Sequence, residues 1–166
     1  METYVLAGGC FWCLDAVYRS LDGVVDVVSG YLGGTLKHPS YEAVCTGMTG
    51  HAEAVQVTFD PDVIPRDVIL DVFFTLHDPR QLNRQGNDVG TQYRSAIYTT
   101  TPEQLATAER VRDEYQVQFT RAGYGRITTE VKPAPDFFYA EDYHQQYLDK
   151  NPFGYCPVHA TGVTCN

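Results

Sequence analysis

Tyr4-Val5-Leu6-Ala7-Gly8-Gly9-Cys10-Phe11-Trp12-Cys13 runs from a strand, through two glycines, into a helix with a cysteine at its start. The first backbone N–H groups of a helix lack internal partners and carry the positive end of its dipole. A thiol placed there is favoured as thiolate, its nucleophilic form. Phe11 and Trp12 flank the thiol with two large rings, either as core or as walls of an apolar pocket for something small that meets it. An isolated cysteine is more often inert and buried; the rest of the chain favours the reactive reading.

Outward from this junction, the pattern predicts a helix from about Trp12 to Leu21 and a strand over Val24 to Val28, closed by the turn Gly30-Tyr31-Leu32-Gly33-Gly34. A loop then leads to Glu53-Ala54-Val55-Gln56-Val57-Thr58-Phe59, which alternates as a strand. Val68, Ile69, Val72, Phe73 and Leu76 recur at helical spacing behind Pro65, which can occupy a first turn. Residues 78 to 93 have no period and read as a long functional loop before a strand at Arg94 to Thr99. Thr101-Pro102-Glu103-Gln104 has the form of a capping box. It opens a helix marked by Leu105, Ala108, Val111, Tyr115 and Phe119 and ending near Gly123. Ile127, Thr129 and Val131 alternate as a last strand, followed by a short helical stretch around Glu141 to Leu148 and a tail without period. Two strands in succession break strict βα alternation. The expected fold is therefore α+β, a mixed sheet with helices packed on it in a split βαβ, ferredoxin-like two-layer core, rather than a doubly wound parallel sheet.

With 166 residues and 43% hydrophobic content, the chain fits a single domain over 1–166, with 151–166 as a mobile, cysteine-bearing tail. Twelve lysines and arginines against 21 acidic residues give a net charge of −9, which repels a nucleic-acid backbone. No signal-like segment precedes the first strand, and no apolar run reaches membrane-spanning length, so the expectation is a soluble cytoplasmic monomer. Five cysteines are an odd number for a secreted disulfide framework. In a reducing compartment they are candidates for catalysis or metal binding.

Glu53 shares a strand face with Val55, Val57 and Phe59, so its carboxyl faces desolvation, which raises the pKa and keeps an acid protonated near neutrality. As the first strand residue it can also simply point into water. The loop from Arg84 to Arg94 can present Asp88 and Tyr93 into a cleft, although its Gly-flanked Asn-Asp is also ordinary turn chemistry. Tyr41 stands before a short polar segment, and Cys45 reads as structural. Cys156 and Cys165 sit in the tail, where a second thiol can displace an oxidised nucleophile as a disulfide; Cys13 rivals them for that role. Two other readings stand beside this one. Cys10-x-x-Cys13 with Cys156-x-x-His159 has the spacing of a zinc site, at the cost of two aromatic residues inside its first knuckle. Cys10-x-x-Cys13 after a strand also resembles a thioredoxin-type dithiol, except that Trp12 lies between the pair.

Taken together, five segments resemble the A-class peptide methionine sulfoxide reductases. They are Gly9-Cys10-Phe11-Trp12, Tyr41 to Gly47 leading to Gly50-His51-Ala52-Glu53, Gly86-Asn87-Asp88 through Gln92-Tyr93-Arg94-Ser95, Tyr139 to Gln145, and Asn151 to Cys156. The resemblance implies reduction of the S-epimer of methionine sulfoxide, free or in proteins, with thioredoxin as reductant and with neither cofactor nor metal. It matches Cys10 to the nucleophile, Phe11 and Trp12 to the pocket for the substrate methyl group, and Glu53 to the proton donor. Tyr41, Asp88 and Tyr93 match residues that hold the polar S=O. Cys156 matches the resolving cysteine and Cys165 the one that passes the disulfide on; a cysteine at the position of Cys13 resolves in members that lack the distal pair.

Overall fold

The computed structural model describes residues 1–86 and 88–154. Strand β1 (Glu2–Gly8) leads into helix α1 (Phe11–Arg19), then strand β2 (Val24–Leu32), a short helix α2 (Tyr41–Cys45), strand β3 (Ala52–Phe59) and helix α3 (Arg66–Leu76). A two-residue hairpin, β4 (Arg84–Gln85) and β5 (Asp88–Val89), and a 3-10 turn at Thr91–Tyr93 come before strand β6 (Ser95–Thr99). The chain continues through helix α4 (Pro102–Arg121), strands β7 (Glu130–Pro133) and β8 (Phe138–Tyr139), a 3-10 turn at Asp142–His144 and helix α5 (Tyr147–Lys150).

Six strands form one sheet in the order β7-β6-β1-β3-β2-β8. From β6 to β8 each strand is antiparallel to the next, with Leu6 opposite both Val55 and Ile97. Elements β1-α1-β2-β3-α3-β6 thus make the split βαβ arrangement expected from two consecutive strands. The α4 crossover adds β7 parallel to β6. Alternation sorts each strand between the two faces. Tyr4 and Leu6 of β1, with Val55, Val57 and Phe59 of β3, join the large core under the helices, whereas Val5, Ala7, Ala52 and Ala54 form a smaller cluster on the opposite face with Phe137 packed against it.

Several boundaries differ from expectation for physical reasons. The Gly30-Tyr31-Leu32 stretch is the end of β2 rather than a turn: Gly30 pairs with Ala54 on one side and Tyr139 on the other. A Cβ at Gly30 would lie 2.4 Å from the Phe137 ring and 2.5 Å from the Phe138 carbonyl oxygen, so glycine here serves close approach of β8. Helix α3 buries Ile69, Leu70, Phe73 and Phe74 and leaves Val68 exposed, a face rotated from the one read off the spacing. Pro65 is its N-cap rather than a first-turn residue. Thr101 caps α4 by accepting from the Gln104 N–H, as the motif implies, but the Gln104 side chain accepts from the Thr100 N–H and is buried in place of Leu105. The last expected strand starts later, at Glu130, after two buried residues, Ile127 and Thr129. Among the described residues no helix is long and apolar enough to cross a membrane.

Candidate active site

Cys10 is the N-cap of α1, with Gly9 before it at φ 91, a left-handed conformation that glycine adopts without strain. Gln85 packs against Gly9 and brackets Asp78, donating to its carbonyl and accepting from its N–H. Behind the turn, buried His77 bonds to the Phe73 carbonyl and the Ser95 hydroxyl. Its ring lies 3.2 Å from where a Cβ of Gly8 would stand. The thiol is thus carried on a turn braced from beneath.

The Cys10 thiol is pushed well above the ordinary cysteine range, first by burial and then by the Glu53 carboxyl. The backbone N–H groups of Trp12 and Cys13 act the other way, in the sense expected of a helix start, but they are outweighed. This corrects the expectation of a standing thiolate: the resting group is a thiol, because desolvation exceeds what the helix N-terminus supplies.

Glu53 is 1% exposed and lies inside β3, opposite Tyr31, so the alternative of a solvent-facing strand end does not hold. Burial raises its pKa to about 8; the Phe11 N–H, 3.4 Å from Oε1, lowers it and Asp88 raises it. Its other oxygen, Oε2, is buried without a hydrogen-bond partner among the described residues. A carboxylic acid is therefore held neutral beside the thiol, with one oxygen uncommitted.

Around these two groups stand Tyr41 of α2, Tyr93 and Asp88. Burial pushes both phenols above the ordinary tyrosine range; Tyr93 also senses Glu53, Cys45, Asp88 and Cys10, and Tyr41 senses Glu53 and Tyr93. Tyr41, Tyr93 and Asp88, singled out in the sequence, thus occur together with Cys10 and Glu53. Cys45, read as structural, differs: Val44 is the buried residue, while Cys45 is exposed and its thiol bonds to the Tyr41 hydroxyl. Phe11 is fully buried with its ring against Tyr31 and His144. Trp12 is half-buried and stacks on Tyr147, with ring centres 3.8 Å apart.

Cys10 is a free thiol. Cys13 is buried and disulfide-bonded. Cys156 and Cys165, together with His159 of the zinc alternative, lie outside the described residues.

The segment from Tyr139 to Tyr147 does more than its sequence advertises. Glu141 accepts from the Tyr31 hydroxyl at 3.0 Å and from the Tyr41 N–H at 3.0 Å, tying β2 to the start of α2. Gln145 bonds to both backbone groups of Ser29. His144 accepts from the Trp12 indole at 3.1 Å. These roles escape periodicity because the segment has none; a Glu-Asp-Tyr-His-Gln run of hydrogen-bonding side chains before the tail is the signal that could have pointed to them.

Residues 2–164 match the family model described as peptide methionine sulfoxide reductase. The peptide methionine sulfoxide reductase MsrA of Clavibacter michiganensis subsp. michiganensis is 62% identical over 160 residues, covering 94% of this chain and 87% of that protein. Among solved structures, methionine sulfoxide reductase A of Corynebacterium diphtheriae superposes with a TM-score of 0.90 at 45% identity, covering 99% of this chain and 81% of that one. Mxr1 of Saccharomyces cerevisiae in complex with Trx2 superposes with a TM-score of 0.63 at 25% identity, covering 95% and 87%.

Proposed function

The chain belongs to the peptide methionine sulfoxide reductase family of oxidoreductases, and we propose that it reduces the S-epimer of methionine sulfoxide, free or in proteins, with Cys10 as nucleophile, Glu53 as proton donor and a thioredoxin as final reductant. The observation that carries this reading is a neutral buried acid with an uncommitted oxygen beside a thiol at a helix start.

A sulfoxide sulfur becomes electrophilic when its oxygen is hydrogen-bonded or protonated. Glu53, with a pKa of about 8, is about nine-tenths protonated at pH 7 and has Oε2–H to offer. Its neutrality has a second effect: it withdraws the carboxylate charge that otherwise opposes ionisation of Cys10. In this mechanism Cys10 loses its proton and its sulfur attacks the sulfoxide sulfur, while Glu53 passes its proton to the oxygen. The resulting hydroxyl transfers from the methionine sulfur to Cys10: its S–O bond to methionine and the transient S–S bond break, the S–O bond of a Cys10 sulfenic acid forms, methionine leaves, and the proton released by Cys10 restores Glu53. Tyr41, Tyr93 and Asp88 hold the polar oxygen, and Phe11 and Trp12 wall the methyl group. A second thiol then attacks Cys10, releasing water and forming a disulfide. By family resemblance this is Cys156, after which Cys165 takes the bond from it; Cys13 is the competing resolver. Two electrons from a dithiol restore the enzyme, and the yeast relative in complex with Trx2 supports a thioredoxin in that role.

A racemic mixture of methionine sulfoxides, supplied with thioredoxin, its reductase and NADPH, tests the proposal. The expected result is loss of the S-epimer alone. Equal loss of both epimers, or of neither, overturns it.

A further inference from the structure

Trp12 is fixed on two sides by residues from the segment that precedes the tail. Its ring stacks on Tyr147, and its indole Nε1–H donates to Nδ1 of His144 at 3.1 Å. An indole nitrogen can only donate, so Nδ1 must be unprotonated and the imidazole neutral, with its proton on Nε2. Nε2 is buried and has no hydrogen-bond partner among the described residues, so none of them competes with Trp12 in orienting the ring. The bond to Trp12 orients it, together with packing against Tyr143, Tyr41 and Phe11 at centroid distances of 4.2, 4.4 and 5.1 Å.

We propose that His144 is a positioning residue of the reductase site: as neutral imidazole it holds the Trp12 indole in place as a wall of the substrate pocket, and on protonation it releases it. The inference rests on the reading of Trp12 as part of that pocket. An imidazolium carries a donor at both nitrogens and has nothing with which to accept the indole proton, so protonation ends the bond whatever else it does.

The charges facing His144 are Glu141 on its own segment and Glu42 on α2, both of which favour protonation. Tyr41 of α2 and Tyr143 present phenols, α1 presents Phe11 and Trp12, and the Tyr147 ring of α5 stacks on the far partner, Trp12. Burial outweighs the two carboxylates and lowers the pKa of His144. Release therefore falls on the acid side of the ordinary histidine range.

Trp12 is the sole tryptophan, so its emission reports on this bond directly. The test titrates the emission of the reduced protein from pH 8 downward in the parent, His144→Asn, whose amide oxygen can accept but does not titrate there, and His144→Leu, which cannot accept. The expected result is a transition below pH 6.5 in the parent, its absence in His144→Asn, and, at pH 7.5, emission from His144→Leu like that of the acid form of the parent. In single turnover with methionine S-sulfoxide, His144→Leu should raise the half-saturating concentration about fivefold to tenfold, the worth of one hydrogen bond. The limiting rate should change far less, and His144→Asn should recover most of the loss. The same emission transition in His144→Asn as in the parent, equal impairment of both variants, or a loss confined to the limiting rate overturns the proposal. If the parent reduces no sulfoxide, the proposed function falls, while the emission titration still decides whether His144 holds Trp12.

Discussion

Replacing Glu53 by Gln separates what this side chain does for catalysis from what it costs the fold. The carboxyl has an ordinary value of 4.5 and is raised to about 8 by burial in β3. Between those values the folded protein holds a proton that the unfolded chain has released, so stability is full below pH 4.5 and is lost as pH rises toward 8. The slope is about 1.4 kcal/mol per pH unit, giving about 2.5 kcal/mol between pH 5.5 and 7.5 and roughly 5 kcal/mol over the whole window. Glutamine retains an oxygen for the Phe11 N–H and does not titrate. Urea unfolding of both proteins across this range should therefore show Glu53→Gln gaining on the parent by that slope, whatever constant offset the buried amide introduces. Single-turnover reduction should meanwhile fall ~100-fold or more, because an amide has no proton to give. The parent rate should decline as pH rises through about 8, a limb absent from the variant. Parallel stability curves for the two proteins would refute the claim that Glu53 is stored as an acid. An undiminished single-turnover rate would refute its role as donor.

Cys156→Ser should release one methionine per enzyme and then stall with thioredoxin unless Cys13 substitutes for it, as methionine counting will show. In the parent, peptide mapping after one equivalent of sulfoxide should find Cys10 joined to Cys156; a Cys10 to Cys13 bond would reverse the proposed order. Gly30→Ala should destabilise the protein by about 1–3 kcal/mol in urea unfolding, as overpacking does, because the added methyl would meet the Phe138 carbonyl and the Phe137 ring. An unchanged midpoint would mean that β8 yields without cost.

The order of the central elements was legible because each signal was local: alternation in Glu53 to Phe59, the Thr101 cap, and the glycines before Cys10. The same alternation placed Glu53 on the apolar face, where the structure puts it beside Val55, Val57 and Phe59 of the core. Long-range causes were not legible. β2 continues through Gly30 because Phe137 and Phe138, more than a hundred residues away, pass against it. The ionisation of Cys10 was misjudged because a helix start can be seen in sequence, whereas the depth of burial that outweighs it cannot. Short α2 offers too few residues for a period, so exposed Cys45 was read as structural. Tyr31, Glu141, His144 and Tyr147 enter the site through pairings across the fold, which no spacing along the chain encodes.

The central claim, that Cys10 takes the sulfoxide oxygen, is tested most directly in a variant lacking Cys13, Cys156 and Cys165, in which no proposed resolving thiol remains. After one equivalent of methionine S-sulfoxide, a sulfenic-acid trap and mass mapping should find one adduct per methionine released, on Cys10. Methionine release with Cys10 unmodified, or the adduct on Cys45, would contradict the account.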